Sequence, residues 1–406
     1  MGYKIRKLNL KTKKQGLEEF GKIGASLPGQ HIMVNKIFPL ALKVKDVDVR
    51  AANILKQEML SRGGDVVTSR QSLIKSEGLA NIIILGTEKA ISSLIDKIKM
   101  QPFGLKELSE QLAEYIALGQ SINTRKIIKI GPVDFNMDQE GALIMGILNI
   151  TPDSFYDGGQ YFEKSSAFRR AEEIIEQGAH IIDVGGMSTR PGSKPVSLDE
   201  ELSRTIPVIE HVVAKNSKKT PISIDTCRSE VAKRAIDAGA AIINDISGLS
   251  ADNKMMELAF QSKSSIIIMH MQGNPENMQE NPTYCDVVDE VYDYLCERTL
   301  KAVEVGIEKE KIIIDPGIGF GKKVEHNLEI LSRFSEFNEM GYPVLAGVSR
   351  KFFIGNLLGG LPAEERLEGS IAAAVYVFLN GASILRVHDI KETLRALKIA
   401  KAIRDV

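Results

Sequence analysis

Short apolar runs recur along the second part of the chain, and each is followed by a polar loop and an amphipathic stretch. The runs are continuous rather than alternating, which is typical of parallel strands buried on both faces. They are Ala142–Ile150, His180–Val184, Pro221–Ile224, Ala241–Asn244, Ser264–Met269, Lys311–Ile314, Pro343–Gly347 and Ser383–Val387. This number of strand–helix units in about 265 residues predicts a (β/α)8 TIM barrel over residues 140–406. Periodicity alone leaves a doubly wound sheet as an alternative.

The stretches between the runs carry helix signals. Ser197 and Glu200 have the spacing of a capping box, in which each side chain binds the other's backbone N–H. Ser165 is a candidate cap for the helix that carries Ile174 and Ile175. Both patterns predict helices that alternate with the buried strands.

Residues 1–125 show a different pattern, which predicts a small α/β N-terminal domain before the barrel. A helical periodicity runs from Val49 to Ser61, and Ile82–Leu85 is typical of a short buried strand. Thr87 caps a second predicted helix, which has apolar residues on one face. We find no cluster of titratable residues here, so we interpret this part as an accessory domain of unknown role. It could bridge subunits, bind a pathway partner or shield the base of the barrel.

Composition and charge narrow the function classes. The chain has 406 residues, 43% of them hydrophobic and 26% charged, as is ordinary for soluble globular proteins. Its formal net charge of −1 gives no global field that would attract nucleic acid or an anionic membrane. No apolar run approaches the ~20 residues of a membrane helix, and no apolar segment follows the lysine-rich start. The three cysteines are too few for a disulfide framework, so we expect a cytoplasmic protein.

Polar residues follow the predicted strands, at the barrel end where reactive groups gather. A single Asp or Asn at such a place is more often a helix cap than a functional group. Capping, however, does not require the basic side chains Lys351, Arg386 and His388. The polar residues at or just after the ends of the runs are Asn149, Asp183, Asp225, Asn244, His270, Asp315, Lys351, Arg386 and His388. They predict a binding site at the carboxyl end of the barrel.

We interpret this set as two subsites. Arg386 and His388, with Asn149 nearby, form an electropositive group that suits a phosphate or diphosphate. A carboxylate in the first loop could help to hold Mg²⁺, which prefers oxygen ligands. The second subsite combines carboxylate, amide and ammonium groups, which can recognise a planar heterocycle with several N–H donors. Its members are Asp225, Asn244, Asp315 and Lys351.

Several segments, in this order, resemble the dihydropteroate synthase family over residues 140–403. They are Met145–Gly159, Asp183–Gly192, Ile224–Thr226, Asn244–Gly248, Met269–Gly273, Asp315–Lys322, Ser349–Lys351 and Arg386–Asp389. The resemblance implies a transferase of folate biosynthesis. Such an enzyme joins 6-hydroxymethyl-7,8-dihydropterin diphosphate to 4-aminobenzoate and releases diphosphate. It also implies a homodimer and a target for sulfonamides.

The same resemblance implies a role for each matching residue. The pterin would be held by Asp225, Asn244, Asp315 and Lys351, with Met269 packing on the ring. The diphosphate would be bound by Asn149, Arg386 and His388. Mg²⁺ would be held through Asn149 and Asp157. The aminobenzoate pocket would be formed by Phe155, Thr189, Arg190, Pro191 and Phe320. The implied catalytic residues are Asp225, Lys351, Arg386 and His388, in a dissociative displacement without a covalent enzyme intermediate.

Two positions depart from the family pattern. Met187 stands where the family often has Glu, and we expect little functional consequence from it. The resemblance implies a serine after Ser349-Arg350-Lys351 that helps to bind the aminobenzoate carboxylate, and this chain has Phe352. A phenyl ring cannot donate a hydrogen bond, so we expect weaker aminobenzoate binding or an altered response to sulfonamides.

Two other functions remain open at this point. A pterin-binding methyltransferase would share the pterin site, but it would not need the Arg386-Val387-His388 group for a diphosphate. A non-catalytic pterin-binding or regulatory protein would bind the ligand without releasing diphosphate. The sequence also leaves open whether the acceptor is 4-aminobenzoate itself or a related arylamine.

Overall fold

The computed structural model describes residues 3–73, 77–122, 126–150, 160–187, 196–215, 219–275 and 277–405. The chain divides into two units, residues 1–124 and 125–406. The first unit contains α1 (Lys13–Lys22), α2 (Leu27–Val34), β1 (Leu40–Asp48), α3 (Val49–Leu60), β2 (Asp65–Val67), β3 (Leu79–Gly86), α4 (Glu88–Ile98) and α5 (Leu105–Ile122).

In the first unit, an antiparallel sheet of order β1-β3-β2 packs through one face on helices. The core includes Leu55 of α3, Ile82 and Ile84 of β3, and Ile91 and Leu94 of α4. These are the positions that helical and strand periodicity place on one face. The predicted small α/β domain is therefore present, with the strand at Ile82–Leu85 and helices close to the predicted bounds.

The second unit begins with a hairpin and a short helix and continues as strands that alternate with helices. Its strands are β4 (Ile127–Ile130), β5 (Val133–Asn136), β6 (Leu143–Asn149), β7 (Ile181–Gly185), β8 (Ile222–Asp225), β9 (Ile242–Asp245), β10 (Ser265–Met269), β11 (Ile312–Asp315), β12 (Leu345–Ala346) and β13 (Ile384–Val387). Its helices are α6 (Met137–Glu140), α7 (Gln160–Glu176), α8 (Leu198–Lys215), α9 (Ser229–Asp237), α10 (Met255–Ser262), α11 (Val287–Glu304), α12 (Val324–Ser332), α13 (Phe352–Leu357), α14 (Leu367–Leu379) and α15 (Ile390–Arg404).

The eight strands β6–β13 form one parallel sheet of order β11-β10-β9-β8-β7-β6-β13-β12. A parallel bridge between Ile314 and Val344 joins the two ends, so the sheet closes on itself. This closure confirms the predicted TIM barrel and excludes the open, doubly wound alternative. Residues such as Ile182, Ile224 and Ile243 face outward and are buried beneath the helices. Both faces of the strands are therefore buried, as their continuous apolar character predicted.

The helix ends agree with the sequence at Ser197 and disagree at Ser165. The Ser197 hydroxyl accepts a hydrogen bond from Glu200 N (3.2 Å), just before α8 begins at Leu198. Ser165 lies inside α7, which begins at Gln160, so its predicted role as the cap is wrong. Its serine side chain gave a plausible start signal, but the helix extends one and a half turns before it.

A feature absent from the sequence analysis closes the amino-terminal end of the barrel. The β4–β5 hairpin is antiparallel, and its Ile128, Ile130 and Phe135 are buried. They join one apolar cluster with inward-facing residues at the start of the barrel strands, such as Leu143 and Ile181. The hairpin thus forms an apolar floor, so the polar interior lies toward the opposite end of the barrel.

Two serines lie in this interior next to an apolar neighbour. Ser223 on β8 and Ser265 on β10 both pair in register with Ile242 on β9. Their hydroxyl oxygens are buried, and neither has a hydrogen-bond partner among the described residues.

Across the described part of the chain, no helix is both long enough and apolar enough to cross a membrane.

Candidate active site

Strand alternation places the predicted site residues inside the barrel. Asn149, Gly185, Asp225 and Asn244 are successive partners in the register of β6, β7, β8 and β9. Because alternate residues of a barrel strand point inward, these positions all face the barrel interior near the carboxyl ends. The polar strand ends therefore meet, as the sequence predicted for a barrel.

Arg386 on β13 is the centre of a hydrogen-bonded network. Its Nε donates to Asp183 Oδ2 (2.6 Å), and its Nη2 donates to Asp225 Oδ2 (2.7 Å). Burial alone would lower the pKa of Arg386, but the two carboxylates outweigh it and raise the pKa. The sequence analysis placed Arg386 and Asp225 in different subsites, whereas the fold brings them into contact. The two subsites therefore share Arg386.

Asp225 itself lies where a ligand can reach it. Its side chain is 13% exposed, whereas that of Asp183 is fully buried. Burial raises the pKa of the Asp225 carboxyl, and Arg386 acts in the opposite direction. The contact with Arg386 thus favours the ionised form, but burial has the larger effect and raises the pKa of Asp225 to about 7.

Lys351 and Asp315 lie on neighbouring elements of the same interior. Lys351 Nζ lies 4.0 Å from the centroid of the Phe320 ring, a distance suited to a cation–π contact. Burial, with a contribution from Arg386, lowers the pKa of Lys351 to about 8. Burial raises the pKa of Asp315, whose Oδ1 accepts a hydrogen bond from Gly317 N (2.7 Å). Phe320, which the resemblance assigns to the aminobenzoate pocket, thus lies beside Lys351, which it assigns to the pterin.

His388 follows β13 and contacts the loop after β12. Its Nδ1 lies 3.0 Å from Ser349 Oγ, and its backbone N–H donates to the same oxygen (3.3 Å). Burial lowers the pKa of His388 to about 3, with Arg386 and Arg350 adding to the effect. The imidazole is therefore neutral at pH 7, and it offers a hydrogen bond rather than the positive charge that the sequence analysis assigned to it.

Arg350 ties the loop after β12 to the loop after β13. Its guanidinium binds Asp389 through two hydrogen bonds, Nε to Oδ2 (3.0 Å) and Nη2 to Oδ1 (2.6 Å). The backbone of Arg350 has φ = 57°, a left-handed conformation that L residues other than Asn and Asp rarely adopt. This pair, which we call the Arg350–Asp389 clamp, holds Lys351 and His388 on adjacent loops in fixed relation.

The glycine-rich segment Asp315–Lys322 packs against the end of β10. A side chain at Gly317 would place its Cβ 1.9 Å from the His270 carbonyl oxygen, so only glycine fits there. Lys322 is 2% exposed, and its Nζ lies 2.9 Å from His270 Nδ1 and 3.0 Å from both the Gly317 and Phe320 carbonyl oxygens. Lys322 therefore holds this segment in place from inside.

An apolar cluster lies beside these polar groups. Met269, at the end of β10, is 2% exposed and packs with Ile246, Met278 and Phe320. Such a surface suits the face of a flat ring. Met269 is paired in register with Asp315, and its packing on a pterin ring stays a prediction.

The formal charges inside the barrel cancel. Asp183, Asp225 and Asp315 are matched by Arg386, Lys351 and Lys322. A strongly anionic ligand would therefore upset this balance unless it brought a cation. Arg386 therefore lies among carboxylates, and the electropositive subsite stays a prediction.

Five predicted site residues lie outside the described residues. They are Phe155, Asp157, Thr189, Arg190 and Pro191.

Sequence reasoning missed three residues of this network: Asp183, His270 and Lys322. Asp183 and His270 had been noted as polar strand ends, but neither received a role. The signal for Asp183 was its register, because it lies on the inward face two residues before Gly185. Lys322 follows a glycine-rich segment, and this local pattern does not predict that its side chain is buried.

Comparisons with known proteins agree with this geometry. A family model described as "Pterin binding enzyme" matches residues 145–388. The dihydropteroate synthase of Escherichia coli K12 is 46% identical over 267 residues, which are 66% of this chain and 93% of that protein. A solved Xanthomonas albilineans dihydropteroate synthase with 4-aminobenzoic acid has a TM-score of 0.65 and 40% identity. It covers 69% of this chain and 99% of that one.

One relative also covers much of the first unit. A probable bifunctional folylpolyglutamate synthase/dihydropteroate synthase of Halobacterium salinarum is 38% identical over 358 residues, which are 88% of this chain and 42% of that protein. This share exceeds that of residues 125–406 alone, so the similarity extends into residues 1–124. The family match over most of the barrel, and the relatives that it covers almost fully, show that this chain belongs to the dihydropteroate synthase family of pterin-binding enzymes.

Proposed function

We propose that the barrel joins 6-hydroxymethyl-7,8-dihydropterin diphosphate to 4-aminobenzoate, giving 7,8-dihydropteroate and diphosphate. The enzyme is a transferase of folate biosynthesis, as its curated relatives are named for this reaction. The observation that carries the proposal is the inward ring of Asp225, Asn244, Asp315, Lys351 and Arg386 at one barrel end.

The pterin would bind to the carboxylate, amide and ammonium groups of this set of inward side chains. Asp225 and Asp315 offer carboxylate acceptors for its N–H groups, and Asn244 offers an amide. Lys351 can donate to a ring nitrogen or carbonyl oxygen, while Met269 contacts the ring face. All these groups are buried or nearly so, which strengthens each hydrogen bond that the ligand makes.

The diphosphate fits toward Arg386, His388 and Asn149. Arg386 Nη1 makes no hydrogen bond among the described residues, so this nitrogen can donate to a phosphate oxygen. The neutral imidazole of His388 can donate through whichever ring nitrogen carries the proton. Arg386 retains its two carboxylate partners, which largely neutralise its charge. It therefore contributes a directed hydrogen bond to the phosphate more than a net positive charge.

Mg²⁺ suits the space over Gly185. A Cβ at this glycine would lie 3.6 Å from both Asn149 Oδ1 and Asp225 Oδ2, so two oxygens border a gap without a side chain. Oxygen ligands of this kind, with phosphate oxygens, are those that Mg²⁺ prefers. Asn149, with Asp157 in the first loop, would hold the ion. When bound, it would supply the positive charge that the balanced interior lacks and would stabilise the leaving diphosphate.

The reaction that these residues support is a displacement at the pterin methylene carbon. The bond from this carbon to the diphosphate oxygen breaks, and its electron pair leaves with the diphosphate. Arg386 and His388 donate hydrogen bonds to the charge that develops there. The Asp225 carboxylate stabilises the positive charge that spreads into the pterin ring. The arylamine nitrogen then bonds to the methylene carbon and loses a proton.

The arylamine would lie above the methylene carbon, next to Phe320. Phe155, Thr189, Arg190 and Pro191 would complete its pocket, by the family resemblance. Phe352, the first residue of α13, is 67% exposed and adjoins Lys351. Its position after Lys351 supports the proposal that it contacts the outer end of the arylamine, which carries the carboxylate.

Diphosphate release tests the proposal. Purified protein with Mg²⁺, the dihydropterin diphosphate and 4-aminobenzoate is expected to release diphosphate only when the arylamine is present. Lys351→Ala should lower kcat/KM by at least 100-fold, because it removes a buried donor from the pterin site. Lys391→Ala, an exposed lysine at the start of α15, should retain wild-type activity. Pterin binding without diphosphate release would favour the non-catalytic alternative.

We also propose that the protein is a cytoplasmic homodimer. Its sparse cysteines, Cys227, Cys285 and Cys296, suit a reducing compartment. The dimer is an expectation from the family. Light scattering of the purified chain would give twice the monomer mass if the dimer forms, and a mass of 44.6 kDa would contradict it.

A further inference from the structure

Asp183 is a buried carboxylate that has no role in the scheme above. It lies on the inward face of β7 and is not exposed to solvent. It accepts hydrogen bonds from two proposed ligand-binding residues. The donors are Arg386 Nε, at 2.6 Å, and Asn244 Nδ2, at 3.1 Å from Oδ2 and 3.4 Å from Oδ1. One carboxylate thus contacts the diphosphate side and the pterin side of the site.

The contact with Asn244 determines how its amide is oriented. An ionised carboxylate can only accept hydrogen bonds, so the Asn244 NH₂ group must face Asp183. The amide oxygen then lies on the other side, where it can accept a hydrogen bond from an N–H group of a ligand. Without the carboxylate, the two ends of the amide would have similar energies and either could face the ligand.

Asp183 contacts the Arg386 guanidinium farther from solvent than Asp225 does. Asp183 binds at Nε, the edge of the guanidinium nearest the strand, whereas Asp225 binds at the terminal Nη2. A ligand can reach Asp225, whose side chain is partly exposed, but it cannot reach Asp183. When a pterin hydrogen-bonds to Asp225, Asp183 still fixes the guanidinium, with its terminal nitrogens toward the carboxyl end of the barrel.

We infer that Asp183 is a positioning residue, which aligns Arg386 for the leaving diphosphate and the Asn244 amide for the pterin through one buried carboxylate. The inference rests on the proposed function, which it deepens. It assigns Asp183 no contact with either substrate.

Asp183→Asn tests the inference, since it keeps the shape and removes the charge. The new amide can offer its oxygen to Arg386 and its NH₂ group to Asn244, which would then turn its own NH₂ group toward the ligand. We expect kcat to fall at least tenfold, with the KM for 4-aminobenzoate changed by less than about twofold. We expect affinity for 6-hydroxymethyl-7,8-dihydropterin, which lacks the diphosphate, to fall about tenfold.

A second substitution separates positioning from the general cost of losing a buried charge. Glu201 on α8 is also unexposed and pairs with an arginine, its Oε2 lying 2.9 Å from Arg228 Nη1. Glu201→Gln should lower the melting temperature and leave kcat within about twofold of wild type. An equal loss of kcat in both variants would overturn the inference.

A double variant tests whether Asp183 acts on kcat through Arg386. Arg386→Gln should lower kcat by itself, and adding Asp183→Asn should lower it by no more than a further twofold. Independent, multiplying effects would contradict the inference. If wild type is active and Asp183→Asn matches it in kcat and pterin affinity, the inference is wrong and the proposed function stands. If wild type releases no diphosphate, the proposed function fails instead.

Discussion

Single residues determine how well this site suits each substrate, and we expect Phe352, which stands where the family resemblance implies a serine, to affect binding of the acceptor. It is exposed and follows Lys351, whose side chain is partly buried. A serine there could donate a hydrogen bond to the aminobenzoate carboxylate, and a phenyl ring cannot. The substitution therefore concerns the acceptor, and it leaves the pterin and diphosphate groups in place.

Phe352→Ser should lower the KM for 4-aminobenzoate about tenfold and leave kcat nearly unchanged. The reason is that a hydrogen bond to a charged group contributes about 1.5–3 kcal/mol. The matched control is Leu357→Ser on the same helix, another exposed apolar residue, which should leave this KM unchanged. Steady-state kinetics with varied 4-aminobenzoate would measure both. An unchanged KM in Phe352→Ser would show that the phenyl ring does not weaken acceptor binding.

The buried His270 makes the stability of the folded protein depend on pH. Burial lowers its pKa to about 2, with Lys322 adding to the effect, against about 6.5 in an unfolded chain. As the pH falls below about 6.5, His270 becomes protonated in the unfolded chain but stays neutral in the folded protein. The stability from His270 is therefore fully present above pH 6.5 and is lost as the pH falls toward 2.

We expect the free energy of unfolding of the barrel to fall between pH 6.5 and pH 5, by up to about 1.4 kcal/mol per pH unit from this histidine. His270→Asn keeps an acceptor for Lys322 and removes the titrating ring, so it should show a smaller dependence. His31→Asn, at an exposed position on α2, should behave as wild type does. Urea titrations at several pH values would measure the difference, and equal slopes in all three proteins would contradict the assignment.

At the scale of elements, loops after different strands are connected by side chains far apart in sequence. The Arg350–Asp389 clamp joins the loops after β12 and β13, while Lys322 joins the segment after β11 to the end of β10. The sequence predicted the strands well, because their apolar runs are long and lie between clear turn signals. It did not predict these connections, since a pairing between distant side chains leaves no local pattern.

Asp389→Asn should lower kcat/KM about tenfold, because Lys351 and His388 lose their fixed relation. The loss of stability should be only about 1 kcal/mol, since the Arg350 side chain is 31% exposed and its ion pair is screened by solvent. Asp405→Asn, which weakens an exposed pair with Lys401 at the end of α15, should change neither quantity. A clamp variant with normal kcat/KM would show that the loops keep their arrangement without it.

At the scale of the whole molecule, the barrel depends on a segment outside its repeating units. The sequence analysis assigned residues 126–139 to neither part of the chain, because the two short strands there carry no strong apolar run. In the structure they form the floor of the barrel, and the apolar side chains of this floor alternate with exposed ones. The barrel strands, the polar strand ends and the site at one barrel end were predictable. The floor was not predictable, because its few apolar residues are buried only through their packing against the end of the barrel.

Ile130→Ala should lower the free energy of unfolding by about 2–4 kcal/mol, because Ile130 is fully buried in this floor. Ile127→Ala in the same strand should change it by less than about 0.5 kcal/mol, since Ile127 is 55% exposed. Thermal unfolding of the two variants would compare them directly. Similar melting temperatures would mean that the hairpin does not support the barrel.

The hydroxyls of Ser223 and Ser265, which have no hydrogen-bond partner within the described part of the chain, bear on how far this enzyme could be adapted. Each buried hydroxyl without a hydrogen bond carries a desolvation cost of about 1–3 kcal/mol that an alanine would not. Natural selection tends to retain such costs once a protein is stable enough for its task. Laboratory selection for heat tolerance would therefore find room for improvement at this level of the barrel, between the apolar floor and the polar ring, without altering any group that meets a substrate.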